Sequence, residues 1–407
     1  MAPRIRRLIV NDRVLGSISS GHPWVYRDSV ASLPPGLEAG EVVDLVDARG
    51  AFVGRALADP ASPLVARVLT LDESERPDGA WLGRKLGAAF ALRRGLVELG
   101  ETDAYRLVYG EGDGLPGLVV DRYGEVAVLR TDGEAAAIWL ERERRAVWAA
   151  LEAEGLRSAL LRETTKGVEG PKAKAWAGAE APAQLIVREH GMRMEVDLVR
   201  GQKTGAFLDQ RENRRRLRAL SAGRRVLNLF SYAGGFSLSA KLGGAEHVTS
   251  VDRAAGGHAS AQRSYRLNGF DPSADAFVTA DAFAFLEAAA ARGERWGLVV
   301  CDPPSFAPNE RSKTRALGAY RALHTACARV VEPGGSFCAA SCSSHLGADE
   351  FLQALDARAL GPGFRLAEML GLPADHPTTP AWREGRYLKF AILVAPPDAR
   401  PARLRQP

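Results

Sequence analysis

The stretch from Val226 to Asp252 limits the fold more than any other part of the chain. It opens with Val226-Leu-Asn-Leu-Phe230, an apolar run short enough for a buried parallel strand. Ser231 to Gly235 is a tight turn that lets backbone approach a ligand. Ser237 to Leu242 suits a helix entering from that turn, and Gly243-Gly244 ends it. Val248 to Val251 reads as the next strand, closing on Asp252. The result is a β-α-β unit with an acid at the tip of its second strand. A ribose binds at that position, because one carboxylate accepts from both ribose hydroxyls. A dinucleotide enzyme would share this pattern, but Ser-Tyr-Ala-Gly-Gly is a poor G-x-G-x-x-G.

The downstream strands decide between the two. Phe277-Val-Thr-Ala-Asp281 places a second acid where an adenine ring is met. Trp296 to Cys301 reads as a buried strand, followed by the rigid loop Asp302-Pro-Pro-Ser-Phe306. A glycine turn, a ribose acid, an adenine acid and Asp-Pro-Pro, in that order, resemble a class I S-adenosylmethionine methyltransferase.

With 407 residues the chain has room for two or three domains. A net charge of +5 and a pI near 9.1 point to an anionic partner. Arginine outnumbers lysine 46 to 8 in an alanine-rich sequence, which reads as a general bias. Only clustered arginines therefore count as a signal. The four cysteines, Cys301, Cys327, Cys338 and Cys342, form no C-x-x-C pair. This argues against a disulfide framework or a zinc site and for a reducing, cytoplasmic setting. The basic start Arg4-Ile-Arg-Arg7 leads into only three apolar residues, too few for a signal peptide, and no run approaches a membrane span.

Residues 1–72 hold short β-like runs between Gly and Pro turns, fitting a small barrel or sandwich. Through residue 30 there are five Arg, Arg4 among them, against two Asp. Trp24 and Tyr26 sit in a compact polar-aromatic loop and either stack on bases beside these arginines or fill the core. Residues 73–190 alternate helix and strand. Helices are expected over Trp81–Leu99 and Ala135–Ala153, and strands over Tyr105–Tyr109, Leu118–Asp121, Val126–Thr131 and Ser158–Glu163. Thr164 to Pro182 reads as a loop. Residues 191–407 carry the methyltransferase pattern. From Arg211 to Arg225 there are seven Arg and one Glu. Most suit a solvated helix face, whereas Arg211, beside Asp209-Gln210, is a candidate RNA contact. Single helices are expected over Arg315–Val331 and Ala348–Leu360.

An aromatic carbon such as C5 of a pyrimidine is a weak nucleophile. A thiolate that adds to C6 makes C5 enamine-like and able to take a methyl group. Cys342 stands just past a predicted strand, where ligands meet open α/β sheets. The other three cysteines fall inside predicted elements and read as core. Asp302 ends a neighbouring strand, in place to bond the ring nitrogen and amino edge of a cytosine. His345, three residues past Cys342, is a candidate to lower its pKa or carry a proton.

Lys203-Thr-Gly-Ala-Phe-Leu-Asp-Gln-Arg211, Asn228 to Phe236, Asp302-Pro-Pro-Ser-Phe306, Ser341-Cys-Ser343 and Asp113 to Gly124 resemble the ribosomal RNA large subunit methyltransferase I family over nearly the whole chain. That resemblance implies a Rossmann-like class I methyltransferase domain, an N-terminal β-rich PUA domain and a small central α/β domain. It implies 5-methylcytosine formation in large-subunit rRNA or its precursor particle, and a homodimer. It implies Cys342 as nucleophile, S-adenosylmethionine as cofactor, and Phe207, Gln210, Phe230, Ser231, Ala233, Gly234, Asp252, Asp281 and Asp302 around that cofactor; no metal is implied. One departure stands out: many relatives carry Lys where Ser305 stands, which leaves the base for the C5 proton unassigned. Uracil as target, an amino-methyltransferase acting on adenine or guanine, and a non-catalytic RNA-binding assembly factor are the competing readings.

Overall fold

A computed structural model describes residues 5–162, 172–307 and 309–398. Arg4 and the start of the expected loop at 164–182 lie outside the described residues. The chain folds into two compact units. One holds the chain up to Val187 together with Val196–Leu208 and Ala374–Gly385; the other holds Arg188–Glu195, Asp209–Pro373 and the chain from Arg386.

The first unit contains two sheets. In the five-stranded N-terminal sheet, Arg6–Ile9 runs parallel to Val42–Val46, and Phe52–Ala58, Leu64–Thr70 and Trp24–Tyr26 follow antiparallel. Leu8, Val25, Val43, Leu45, Ala56 and Val65 fill its core. A helix at Asp12–Ser19, absent from the sequence reading, leaves only Ile18 buried, so its apolar period is too sparse to read.

The second sheet has the order Ala173–Gly178, Ser158–Arg162, Val126–Thr131, Leu118–Tyr123, Ala104–Tyr109. Asp78 starts the helix Gly79–Leu96 by accepting from the Trp81 amide at 2.9 Å. Leu57 and Leu69 of the N-terminal sheet pack into this second core beside Trp81 and Trp139. Two expectations are corrected here. The single helix over 135–153 is two, Glu134–Arg142 and Arg144–Ala153, because Glu143 at φ −93°, ψ 13° leaves the helical region. The strand Ala173–Gly178 lies inside the expected loop. A bulge between Ala175 and Ala177 breaks its alternation and sends Trp176 into the core.

The second unit is built on a seven-stranded sheet. Its strands are β1 (Arg225–Leu229), β2 (His247–Asp252), β3 (Ala276–Thr279), β4 (Trp296–Cys301), β5 (Val331–Ser341), β6 (Arg365–Leu370) and β7 (Lys389–Val394). Their order is 3-2-1-4-5-7-6. The first five are parallel, and β7 runs antiparallel to both neighbours. Successive residues serve opposite faces. Leu227, Leu229, Val299 and Phe337 pack on one side with Tyr320 and Leu323, while Val226, Leu298, Val300 and Cys338 pack on the other with Phe236 and Ala240. Both faces are therefore covered, which is why the central strands read as unbroken apolar runs. The helices are α1 (Arg211–Arg218), α2 (Gly235–Leu242), α3 (Ala255–Leu267), α4 (Ala282–Ala291) and α5 (Lys313–Ala328). The helix expected over 348–360 is two short ones, since Asp356 caps a new start by accepting from the Arg358 and Ala359 amides.

Candidate active site

Strand register sets the site. Leu229 of β1 pairs with Val251 of β2 and with Cys301 of β4, and Cys301 pairs with Ala339 of β5. Phe230, Asp302 and Cys342 therefore follow, and Asp252 ends, adjacent parallel strands at their carboxyl ends, the edge where open α/β sheets bind ligands.

The turn after β1 is shaped by backbone. Phe230 and Tyr232 have φ of 59° and 45°, left-handed values rare for residues with a side chain. Gly234, at φ 73°, is required twice over, since a Cβ there would lie 2.6 Å from Cβ of Ala261 in α3. Asp252 fixes the turn: one carboxylate oxygen accepts from the Tyr232 amide at 2.8 Å and the other from the Ala254 amide at 2.7 Å. Ser231 is 6% exposed and its hydroxyl has no hydrogen-bond partner among the described residues. Ala233 lies half-buried beside it. Asp281 ends the segment after β3 and caps α4, accepting from the Phe283 and Ala284 amides, while its other oxygen takes a bond from Arg253 at 2.6 Å.

On the other side of β1, Asp302 follows β4 and accepts from the Gln210 amide nitrogen at 2.8 Å. Gln210 is itself oriented, because its oxygen accepts from Asn213 at 2.6 Å. Asp209 accepts from the Tyr387 hydroxyl at 2.6 Å. Cys342 is half-buried, whereas Cys301, Cys327 and Cys338 are fully buried. Burial pushes the Cys338 thiol up to about 12 and raises that of Cys301 as well, so both are poor nucleophiles.

The loop carrying Cys342 is held by side chains from elsewhere. Tyr320 of α5 bonds the hydroxyls of Ser341 and Ser343 at 3.0 and 3.1 Å. Ser305 bonds Ser343 at 2.9 Å, joining the Asp302-Pro-Pro loop to the Cys342 loop. Ser305 thus has a structural use in joining the two loops. Lys389 donates to the carbonyls of Ser343 and Leu346, both at 2.6 Å. Tyr320, Tyr387 and Lys389 were missed in the sequence. A signal for Lys389 exists, since a lysine heads the apolar run Phe390–Val394 in a chain that prefers arginine. His345, the sequence candidate for tuning the thiol, instead faces Glu310 at 3.7 Å.

Phe207 belongs to the first unit, where the Lys203 ammonium sits 4.4 Å from its ring centre. That segment is anchored by the central sheet, through a Thr204 bond to Asp121 at 2.5 Å and an Ala206 amide bond to Tyr123 at 3.1 Å. Trp24 donates its indole N–H to Glu111 at 2.8 Å and packs edge-on against Trp382, so the more exposed ring of its loop is Tyr26. Arg211, expected to meet RNA, is 1% exposed and bonds Glu212 at 3.0 Å. The most exposed arginine of α1 is Arg215, with Arg216 and Glu212 partly exposed beside it, whereas Arg211 and Arg214 are buried on the inner side of the helix.

Among the described residues there is no cluster of metal-ligating side chains and no helix long and apolar enough to cross a membrane.

A family profile described as S-adenosylmethionine-dependent methyltransferase matches residues 129–388, and one described as a PUA-like domain matches residues 8–71. A ribosomal RNA large subunit methyltransferase of Deinococcus radiodurans is 40% identical over 96% of this chain and 98% of its own length. A ribosomal RNA large subunit methyltransferase I of Klebsiella pneumoniae is 36% identical over 93% and 96%. Among solved structures, a Streptococcus mutans protein described as a SAM-dependent methyltransferase covers 96% of the chain at a TM-score of 0.83 and 22% identity. The residues here fit S-adenosylmethionine: a carboxylate at the β2 tip has acceptor lone pairs to spare for a diol, and the buried Ser231 hydroxyl lacks a hydrogen-bond partner among the described residues. The chain belongs to the ribosomal RNA large subunit methyltransferase I family of S-adenosylmethionine-dependent methyltransferases.

Proposed function

We propose that this protein forms 5-methylcytosine in large-subunit ribosomal RNA through a covalent bond between Cys342 and C6 of the base. Ribosomal RNA as substrate follows the names of the relatives. The single observation that carries the covalent reading is the placement of Cys342. It is the one cysteine of four outside the buried set, on a loop tied through Ser343 and Ser305 to the loop of Asp302.

The Cys342 thiolate adds to C6, and the C5–C6 π pair leaves C5 nucleophilic. Asp302, steadied by Gln210, accepts from the amino group of the base and, in its protonated form, donates to the ring nitrogen on which charge builds. S-Adenosylmethionine supplies an electrophilic methyl group when bound. Asp252 would hold its ribose and Asp281 its adenine amino group, with Phe230, Ser231, Ala233 and Gly234 along the turn between strand and cofactor. A base then takes the C5 proton, the pair from that bond restores the ring double bond, and the C6–S bond breaks to release the thiolate.

The test is transfer of labelled methyl groups to rRNA from a strain lacking this enzyme, read by nucleoside mass spectrometry. It is run on naked rRNA and on pre-ribosomal particles, with the wild type and Cys342→Ala. The expected result is 5-methylcytosine with the wild type and a loss of at least about a thousandfold in the variant, as for removal of a catalytic nucleophile. Methylated adenosine, guanosine or uridine, or an unimpaired variant, would overturn the reading.

A further inference from the structure

We propose that Lys389 is a positioning residue for the Cys342 thiol: it clamps the loop after β5 onto the head of β7 and sets a positive charge beside the sulfur. This rests on Cys342 being the nucleophile.

The geometry is that of a clamp. Lys389 pairs across the β5–β7 ladder with Ser341, the residue before Cys342. Its ammonium donates to the carbonyl of Ser343, the residue after Cys342, and to those of Leu346 at 2.6 Å and Tyr387 at 2.8 Å. An ammonium has three N–H donors, and all three are used. Each acceptor is a neutral backbone carbonyl. Lys389 forms no ion pair among the described residues and is 4% exposed.

A buried cation held only by carbonyls costs stability, because desolvation is not offset by a counter-charge. A methionine would fill the same space without that cost. What the ammonium adds is a positive potential on a loop that carries the Cys342 thiol; the loop's other ionisable side chain, His345, is turned to Glu310 at 3.7 Å. The groups that face it are few. Cys342 and Glu350 act on its charge. Glu350 is itself paired with Lys313 at 2.6 Å and accepts from the Gly347 amide at 2.8 Å. Tyr320 accepts from the Ser341 hydroxyl and bonds that of Ser343, the serines on either side of Cys342, and burial raises its pKa, which keeps it a neutral hydroxyl. The Tyr387 hydroxyl is turned to Asp209. Lys389 thus brings a positive group onto the backbone of this loop, and a positive neighbour favours the thiolate over the thiol.

The experiment follows alkylation of Cys342 by iodoacetamide in the full-length protein between pH 6 and 9.5, site by site, by peptide mass spectrometry. The other three cysteines are buried and serve as internal controls for unfolding. Lys389→Met is expected to slow alkylation of Cys342 at pH 7 by about tenfold, the effect of a pKa difference of about one unit. It is also expected to lower kcat for methyl transfer while leaving KM for RNA and the affinity for S-adenosylmethionine near wild type. The same alkylation rate and pH profile in wild type and Lys389→Met, with the other thiols still protected, would overturn the proposal.

If Lys389→Met does not fold, Lys389→Arg decides. Retained charge is expected to keep alkylation within about threefold of wild type, and a tenfold fall would overturn the proposal. Failure of the underlying reading is separable. A Cys342→Ala protein with full methyl transfer removes the nucleophile, and Lys389's role in the reaction with it, whatever the alkylation shows. An unchanged alkylation profile beside an inactive Cys342→Ala protein removes the Lys389 proposal alone.

Discussion

Two turns on the same sheet edge are built by opposite means. The turn after β1 is a backbone object: left-handed residues at Phe230, Tyr232 and Gly234, closed by an acid 20 residues away. The loop after β5 has no such local logic. Its shape comes from Tyr320, Ser305 and Lys389, which lie 23, 38 and 46 residues from Ser343. The first turn states its own conformation in its own residues. The second borrows its conformation from three other elements.

If the first turn is governed by backbone geometry, Gly234→Ala should be the most damaging small change on this edge. The left-handed conformation and the clash with Ala261 together cost about 3 to 4 kcal/mol. The urea midpoint and S-adenosylmethionine affinity would both show it, and an unchanged midpoint would break the contrast.

The second turn makes a prediction about pH. Burial pulls Lys389 from the ordinary lysine value of 10.5 to about 8, with the charges of Cys342 and Glu350 pulling the other way. Between those values the unfolded chain holds a proton that the folded chain has released. Stability contributed at this site should therefore rise with pH across that window, by up to about 3 kcal/mol. Urea midpoints at pH 7.5 and 10 would check this, with Lys389→Met lacking the rise. A variant with the same rise would assign it to other groups.

The smallest effect is expected at Ser305→Ala. One neutral hydrogen bond to Ser343 is lost at an exposed residue, worth about 1 kcal/mol. Methyl transfer should fall by about fivefold at most, with S-adenosylmethionine binding unchanged. A drop as large as that of Cys342→Ala would give Ser305 a chemical role.

The same contrast explains what the sequence could show. The strand-turn-helix at Val226–Leu242, the acid at Asp252, the Asp302 loop and the place of Cys342 just past its strand were legible, since each depends on neighbours in the chain. Gln210 was placed near the site by resemblance, but its bond to Asp302 spans 92 residues, and that of Tyr387 to Asp209 spans 178. No period or turn signal encodes pairings of that length. The arginine run misled for a related reason. Arg214 is buried against Glu189 and Arg211 lies beneath the helix surface, so charge density alone said nothing about which side faced water. The split helices near Glu143 and Asp356 turned on single residues leaving, or capping, the helical path.

The N-terminal sheet is not self-contained. Leu57 and Leu69 belong by strand to that sheet and by packing to the core of Trp81 and Trp139. A fragment cut in the linker at residues 72–79 would carry a raw apolar underside into water, and its partner would keep an unfilled socket. This module cannot be lent to another enzyme or replaced by a different domain without recutting both faces of that joint. Gain or loss of the module in such a lineage would have to proceed through paired changes on the two sides.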